Sequence, residues 1–151
     1  MPRSARARTS HTLPRVGAPF VHRLRVRYHE CDPQGIVLNG NWFAYFDVTL
    51  TELWREAFGS YEAMVESGSD VMVVSAGATF KAPARFDDEL EIAMAIERLG
   101  ESSMTSAFVC ESRGQPLVEG RLVHVFVDPA TYAKQQIPDH ARERLAPWVT
   151  G

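Results

Sequence analysis

The chain has 151 residues, of which 45% are hydrophobic and 23% charged, with a net charge of −3. This length fits one domain, and the composition is that of a globular protein, which excludes a disordered chain, a collagen and a coiled coil. No run of about 18 apolar residues would cross a membrane, and two cysteines are too few for a disulfide framework. We therefore expect a cytoplasmic protein in a reducing compartment, without a membrane partner.

Basic residues are concentrated at the N-terminus. Residues 1–29 contain seven Arg and no acidic residue, whereas residues 30–151 contain nine basic and nineteen acidic residues, a net charge of −10. So acidic a body lacks the clustered cations that phosphate binding needs, which excludes a general nucleic-acid-binding protein. Residues 1–19 combine Arg with Pro, Gly and Ser, so they are predicted to form a flexible basic tail before a single domain over residues 20–148.

The domain is predicted to begin with a β-strand. From Phe20, the apolar residues Leu24, Val26 and Tyr28 alternate with arginines, which is the period of a half-buried strand. This strand leads into residues 32–35, Asp-Pro-Gln-Gly, where Asp before Pro and a following Gly indicate a turn.

A long amphipathic helix is predicted from Trp42 to Phe58. Asn41 is the expected N-cap, and Gly59 is the natural end. The apolar residues recur at steps of three and four, as expected for one buried face: Phe43, Phe46, Leu50, Leu53, Trp54 and Ala57. A short second helix is predicted over residues 61–67.

The remainder of the chain is predicted to be mainly β-structure. Four further segments have the alternation or the β-branched content of strands: 71–81, 88–98, 102–112 and 118–127. The last is apolar on both faces, which is typical of a central strand, and a C-terminal helix is predicted over residues 139–146. One long helix cannot cover both faces of a five-stranded antiparallel sheet. The prediction is therefore an α+β domain whose sheet curves around the helix, with its other face left for a partner, in at least a dimer.

Asp32 and the start of the long helix form the strongest candidate site. A helix N-terminus presents unpaired N–H groups that can stabilise an oxyanion, and a carboxylate can act as a nucleophile or as a general base on water. The alternative is that Asp32 only forms its turn by accepting backbone N–H bonds. A His29–Cys31 nucleophile pair and a metal site that includes His22 are weaker candidates. Side chains two residues apart on a strand are too far from each other for good proton transfer, which argues against the pair. The sequence spacing of the possible metal ligands matches no known zinc site.

A longer motif joins these features. It reads Tyr28-x-x-Cys-Asp-x-x-Gly-Ile-Val and then Asn41-Trp-Phe-x-Tyr-Phe, and two later segments accompany it, Val74-Ser-Ala-Gly-Ala-Thr-Phe and Phe86-Asp-Asp-Glu-Leu. Over about residues 20–130, this pattern resembles the 4-hydroxybenzoyl-CoA thioesterase family of hotdog-fold enzymes. The resemblance implies a hotdog fold, in which a curved antiparallel sheet wraps a long central helix, and a homodimer or homotetramer.

The resemblance also implies hydrolysis of an acyl-CoA thioester, with an aromatic or a short to medium-chain acyl group and with neither a metal nor a redox cofactor. Asp32 matches the family's catalytic carboxylate, and backbone N–H groups around Asn39 and Gly40, and near Gly77, would polarise the thioester carbonyl. The residues implied to bind substrate are Gly35, Asn41, Trp42, Phe46, Ser75 and Gly77. Those implied to meet the CoA phosphates are Lys81 and Arg85.

Asn39 departs from the family pattern, in which many members have His or Tyr at this position. Asn donates and accepts hydrogen bonds but cannot take a proton, so Asp32 would work with water and the backbone donors alone. Two alternatives stay open: a hotdog acyl-CoA dehydratase or hydratase, and a non-catalytic acyl-binding oligomeric module, which Asn39 favours. A dehydratase or hydratase usually needs a His, which the helix-start motif lacks. A non-catalytic module would not need Asp32, so the presence of this residue argues against it. The acyl carrier, CoA or an acyl carrier protein, stays open.

Overall fold

A computed structural model of the protein describes residues 19–151, so the tail predicted over residues 1–19 lies outside the described residues except for its last position. Within residues 19–151 the chain forms five strands, three α-helices and two short 3₁₀ turns. The strands are β1 (Phe20–Arg25), β2 (Asp70–Phe80), β3 (Glu89–Leu99), β4 (Ser103–Ser112) and β5 (Gln115–Val127). The helices are α1 (Asn41–Phe58), α2 (Tyr61–Glu66) and α3 (Asp139–Leu145), and the 3₁₀ turns are Tyr28–Glu30 and Ala146–Trp148.

The strands of the described chain form one antiparallel sheet in the order β1-β3-β4-β5-β2. The turn between β4 and β5 is tight, because Arg113 and Gly114 both have positive φ, 52° and 76°. β5 lies between β4 and β2, which confirms the prediction of a central last strand. β1 and β2 are the two edges of the sheet, so the predicted α+β arrangement of one sheet and one long helix is confirmed.

α1 covers one face of the sheet. Phe46 of α1 stacks on Phe108 of β4, with the ring centroids 4.6 Å apart. A Cβ at Gly120 of β5 would come within 2.3 Å of the Phe46 ring, so glycine at this position lets the helix approach the sheet closely. Although α1 has 18 residues, no helix in residues 19–151 is both long and apolar enough to cross a membrane.

The first strand is shorter than its alternation predicts. β1 ends at Arg25, and the segment from Tyr28 to Glu30 forms a 3₁₀ turn instead of continuing the strand. The turn is closed from both sides: the N–H of Glu30 donates to the C=O of Arg27 (3.1 Å), and the N–H of Arg27 donates to the Glu30 carboxylate (2.6 Å). Tyr28 is therefore 82% exposed, and the prediction that it belongs to the buried face is wrong.

The N-cap predicted for the long helix is also wrong. α1 begins at Asn41 itself, and its N-cap is Gly40, which has no side chain to cap the helix. The side-chain amide of Asn41 instead donates to the C=O of Glu30 at 2.7 Å. The side chain of Asn41 is therefore bonded to Glu30, which is distant in sequence, and does not cap the helix.

Two buried polar side-chain atoms have no hydrogen-bond partner within residues 19–151. Ser106 Oγ and His124 Nδ1 are buried and form no hydrogen bond within the described residues. His124 lies on β5 opposite Met104 of β4, and its burial lowers the pKa of the imidazole from 6.5 to about 4. The folded state therefore holds this imidazole in its neutral form at neutral pH.

We expect acid to destabilise the protein through His124. An unfolded His has a pKa of about 6.5, so between this pH and about 4 the unfolded chain binds a proton that the folded chain does not. Above about pH 6.5, His124 does not lower the free energy of unfolding. As the pH falls from about 6.5 towards 4, this free energy decreases by about 3 kcal/mol because of His124. Urea unfolding of wild type and His124→Leu across this range measures the effect. The variant should lose this part of the pH dependence, and identical slopes for both proteins would contradict the prediction.

Candidate active site

Residues 32–35 form the turn that the sequence predicts, here called the acidic turn. The N–H of Gly35 donates to the C=O of Asp32 (2.9 Å), and Gly35 has a φ of +76°, a region that glycine favours. The N–H of Gln34 donates to Asp32 Oδ1 (2.8 Å), so this carboxylate does help to form the turn. Oδ2 accepts no hydrogen bond from residues 19–151, and Asp32 is partly exposed. As far as residues 19–151 are concerned, one carboxylate oxygen is therefore free for chemistry.

Two backbone donors just before α1 have no acceptor in the described part of the chain. The first N–H groups of the helix are used locally, since those of Asn41 and Trp42 donate to the C=O groups of Leu38 and Asn39 (2.8 and 3.3 Å). The N–H groups of Asn39 and Gly40 have no acceptor among the described residues, and both residues are exposed. They lie at the positive end of the helix dipole, where negative charge is stabilised.

Glu30, the last residue of the 3₁₀ turn that precedes the acidic turn, is bonded to the first turns of α1 and to the residues before them. Its C=O accepts the side-chain N–H of Asn41 (2.7 Å) and the backbone N–H of Leu38 (3.0 Å). Its carboxylate Oε1 accepts the hydroxyl of Tyr45 (3.0 Å) and the N–H of Arg27 (2.6 Å). Tyr45 is buried, and this burial, together with the bond to Glu30, raises the pKa of its hydroxyl.

Sequence reasoning missed the contact between Glu30 and Tyr45. The ring of Tyr45 is buried with the apolar residues of α1. The signal that could have found the contact is the hydroxyl itself, because a buried Tyr usually has a hydrogen-bond partner. Its identity as Glu30, 15 residues earlier in the chain, follows only from the fold.

Trp42 and Phe46, which the family resemblance implies to bind substrate, are buried within the chain. The Trp42 ring lies edge-on to Tyr45 with the centroids 5.4 Å apart, and Phe46 stacks on Phe108. In the single chain, both rings pack between α1 and neighbouring residues of the core and expose almost no surface to solvent.

Other apolar side chains are exposed around the acidic turn. Tyr28 and Leu38 flank it in sequence, and Phe86 lies in the connection between β2 and β3. The rings of Tyr28 and Phe86 meet edge-to-face with the centroids 6.2 Å apart. The alternation of β1 assigns Tyr28 to the core, so the sequence does not predict this exposed surface.

The connection between β2 and β3 lies against the two residues that follow the acidic turn. The N–H of Val37 donates to the C=O of Ala84 (2.8 Å), and Ile36 forms an isolated β-bridge with Arg85. Arg85 lines an open groove of about 400 Å³ together with Arg113. Within the described part of the chain, the guanidinium of Arg85 forms no ion pair.

The remaining residues of the predicted site lie on β2 or at its end. Lys81 follows β2, and its Nζ lies 2.7 Å from Glu119 Oε1. Ser75 and Gly77 line an open groove of about 660 Å³ on the sheet, and the described lining of this groove includes no residue between 28 and 42. One chain thus brings together only part of the predicted site: Asp32, Gly35, Asn39, Gly40, Asn41 and Arg85.

The family of the chain follows from its match to a known sequence pattern. The sequence model of the thioesterase superfamily matches residues 34–119, more than half of the chain. This range includes the last two residues of the acidic turn, α1 and β2, and it begins two residues after Asp32. The chain belongs to the thioesterase superfamily. This thioesterase is a hydrolase, and its resemblance to the 4-hydroxybenzoyl-CoA thioesterase family is confirmed.

Relatives match this thioesterase over most of its length. The acyl-CoA thioester hydrolase YbgC of Escherichia coli is 28% identical over 116 residues, which cover 76% of this chain and 87% of the relative. A crystal structure of a protein from Aquifex aeolicus gives a TM-score of 0.80 at 28% identity, covering 84% of this chain and 99% of that chain. The PA5185 protein of Pseudomonas aeruginosa gives a TM-score of 0.78 at 28% identity, with 88% and 93% covered. The predicted hotdog fold is thus confirmed.

Proposed function

We propose that this thioesterase hydrolyses an aromatic or a short to medium-chain acyl-CoA, with Asp32 as the catalytic carboxylate. One observation carries the proposal: Oδ2 of Asp32 and the N–H groups of Asn39 and Gly40, which have no hydrogen-bond partner among residues 19–151, belong to one short segment that leads into α1. Thioester hydrolysis needs these two elements, a nucleophile or base for the carbonyl carbon and donors for the oxyanion.

In the proposed reaction, the thioester carbonyl oxygen accepts the N–H groups of Asn39 and Gly40, and the helix dipole stabilises the negative charge that develops on it. Asp32 either removes a proton from the attacking water or attacks the carbonyl carbon itself, forming an anhydride that water then opens. In both routes a C–O bond forms, the C–S bond breaks, and the CoA thiolate leaves and takes up a proton. The reaction uses water and groups of the chain, without a metal or redox cofactor.

The surroundings of the acidic turn support an acyl-CoA substrate. Tyr28, Leu38 and Phe86 offer exposed apolar surface to an acyl group, and the edge-to-face pair of rings suits an aromatic one. Arg85 has an unpaired charge within the described chain and is suited to a CoA phosphate, whereas the charge of Lys81 is already paired.

We also propose that two copies of the chain pair through β2. The ten residues from Val71 to Phe80 carry no charge, and Val74 on this open edge is 60% exposed. An uncharged apolar edge readily pairs with another strand, whereas the opposite edge, β1, is protected by Arg23 and Arg25. A second copy of the chain is the partner that fits this edge best, because the β2 strands of the two copies would cover each other in one symmetric contact.

The proposed dimer would supply what one chain lacks. Ser75 and Gly77 match the family pattern for substrate binding, but they lie on β2, in a groove separate from the acidic turn of their own chain. We infer that they act on the substrate held by the partner copy. The site would then be complete only in the dimer.

The first experiment measures thiol release from a panel of acyl-CoA thioesters, from benzoyl-CoA to palmitoyl-CoA. We expect kcat/KM to be at least about tenfold higher for the aromatic and short-chain esters than for palmitoyl-CoA, because the exposed apolar surface near the acidic turn is small. No release from any ester by the folded protein would contradict the proposal. It would favour a substrate attached to an acyl carrier protein, or a binding module.

A further inference from the structure

We propose that Glu30 is a positioning residue for the reaction, which sets the place of Asp32 relative to the N–H donors of Asn39 and Gly40. The inference rests on the proposed function. Glu30 lies two residues before Asp32, and both its backbone and its side chain are bonded to α1 or to the residues that lead into it. It therefore connects the carboxylate to the donors through hydrogen bonds as well as through the chain.

The backbone of Glu30 is bonded on both sides of the donor pair. Its C=O accepts the N–H of Leu38 (3.0 Å), which directly precedes Asn39. The same oxygen accepts the side-chain amide of Asn41 (2.7 Å), which directly follows Gly40. The two free donors thus lie between two residues that share one acceptor. A shift of this carbonyl would move the donor segment relative to the acidic turn.

The carboxylate of Glu30 holds this carbonyl in place. Oε1 accepts the Tyr45 hydroxyl (3.0 Å) and the N–H of Arg27 (2.6 Å). Asn41 and Tyr45 are four residues apart on α1, so one face of the helix binds both ends of Glu30. Tyr45 is itself fixed, because its buried ring packs edge-on against Trp42. Hydrogen bonds to a carboxylate in a partly buried position are stronger than those between neutral groups in water.

The test compares acyl-CoA hydrolysis by Glu30→Ala, Glu30→Gln and Tyr45→Phe with wild type and Asp32→Asn. For Glu30→Ala we expect kcat to fall about 30-fold and KM to change less than about threefold, because misplaced groups reduce turnover more than binding. Gln keeps an acceptor oxygen, so Glu30→Gln should recover most of the rate. Tyr45→Phe keeps the ring and loses one bond, so its kcat should fall about tenfold.

Tyr61→Phe is the matched control for the loss of a Tyr–carboxylate bond. The Tyr61 hydroxyl donates to Asp70 Oδ1 at 2.7 Å, between α2 and the start of β2. This variant loses the same kind of bond outside the segment that carries the proposed site. Its kcat should therefore stay within about twofold of wild type.

Three outcomes would overturn the inference. Glu30→Ala could keep the wild-type kcat, it could change KM alone, or Tyr61→Phe could lose as much turnover as Tyr45→Phe. If Glu30→Ala does not fold, Tyr45→Phe decides the question, since it keeps the buried ring. A wild type that hydrolyses no thioester overturns the proposed function and this inference with it. An active wild type, an inactive Asp32→Asn and a fully active Glu30→Ala overturn this inference alone.

Discussion

Replacing Asp32 by Asn is expected to lower kcat/KM for acyl-CoA hydrolysis by about 10³-fold and to leave the fold unchanged. Asn keeps an oxygen that can accept the N–H of Gln34, so the acidic turn is preserved. The variant loses the negative charge and the basicity of the free carboxylate oxygen, which the proposed reaction needs at the carbonyl carbon. Thiol release and circular dichroism on the same samples measure activity and fold.

Asp128→Asn is the matched control for this variant. Asp128 Oδ1 accepts the N–H of Ala130 two residues later at 2.9 Å, just as Asp32 Oδ1 accepts the N–H of Gln34 at 2.8 Å. Because Asp128 lies after β5 and outside the proposed site, its variant should keep activity within about twofold. If folded Asp32→Asn retains the wild-type rate, Asp32 only forms a turn and the mechanism is wrong. Equal losses of activity in Asp32→Asn and Asp128→Asn would show that the effect comes from disturbing a turn and not from removing a catalytic carboxylate.

Placing a charge on the open edge of β2 should dissociate the proposed dimer and remove most of the activity. Val74 lies at the irregularity between Val73 and Ser75 and is well exposed in one chain. An edge strand tolerates Lys in a single chain, but a symmetric contact would bring two like charges together. We expect Val74→Lys to elute as a monomer and kcat/KM to fall at least about 10²-fold, because Ser75 and Gly77 of a second copy no longer complete the site.

Val21→Lys is the matched control on the opposite edge of the sheet. Val21 lies on β1 and is 39% exposed, so the same substitution adds a charge to the other edge strand. This variant should keep the dimer and the rate. Light scattering with size-exclusion chromatography measures the mass of each form. A Val74→Lys protein that remains dimeric would place the interface elsewhere, and one that is monomeric and fully active would show that a single chain holds the complete site.

Local periodicity predicted the elements well where each buries one face. The bounds of α1 and of β2, β3 and β4 agree with the predictions to within one residue at each end. Periodicity failed at the end of β1, where Tyr28 continues the alternation of a strand although the chain has already turned. The cause is the Glu30 carboxylate, which accepts the N–H of Arg27 and stabilises a 3₁₀ turn. A side-chain bond of this kind leaves the apolar pattern unchanged.

By itself, the sequence determined the α+β class, the acidic turn, and the position of Asp32 before the long helix. These features depend on residue period and turn chemistry, which are local in the chain. Only the tertiary structure decided which backbone donors are free, that Trp42 and Phe46 are buried, and that Ser75 and Gly77 lie on an open sheet edge. These features depend on partners far apart in sequence, because each polar group bonds to whatever acceptor the fold brings to it.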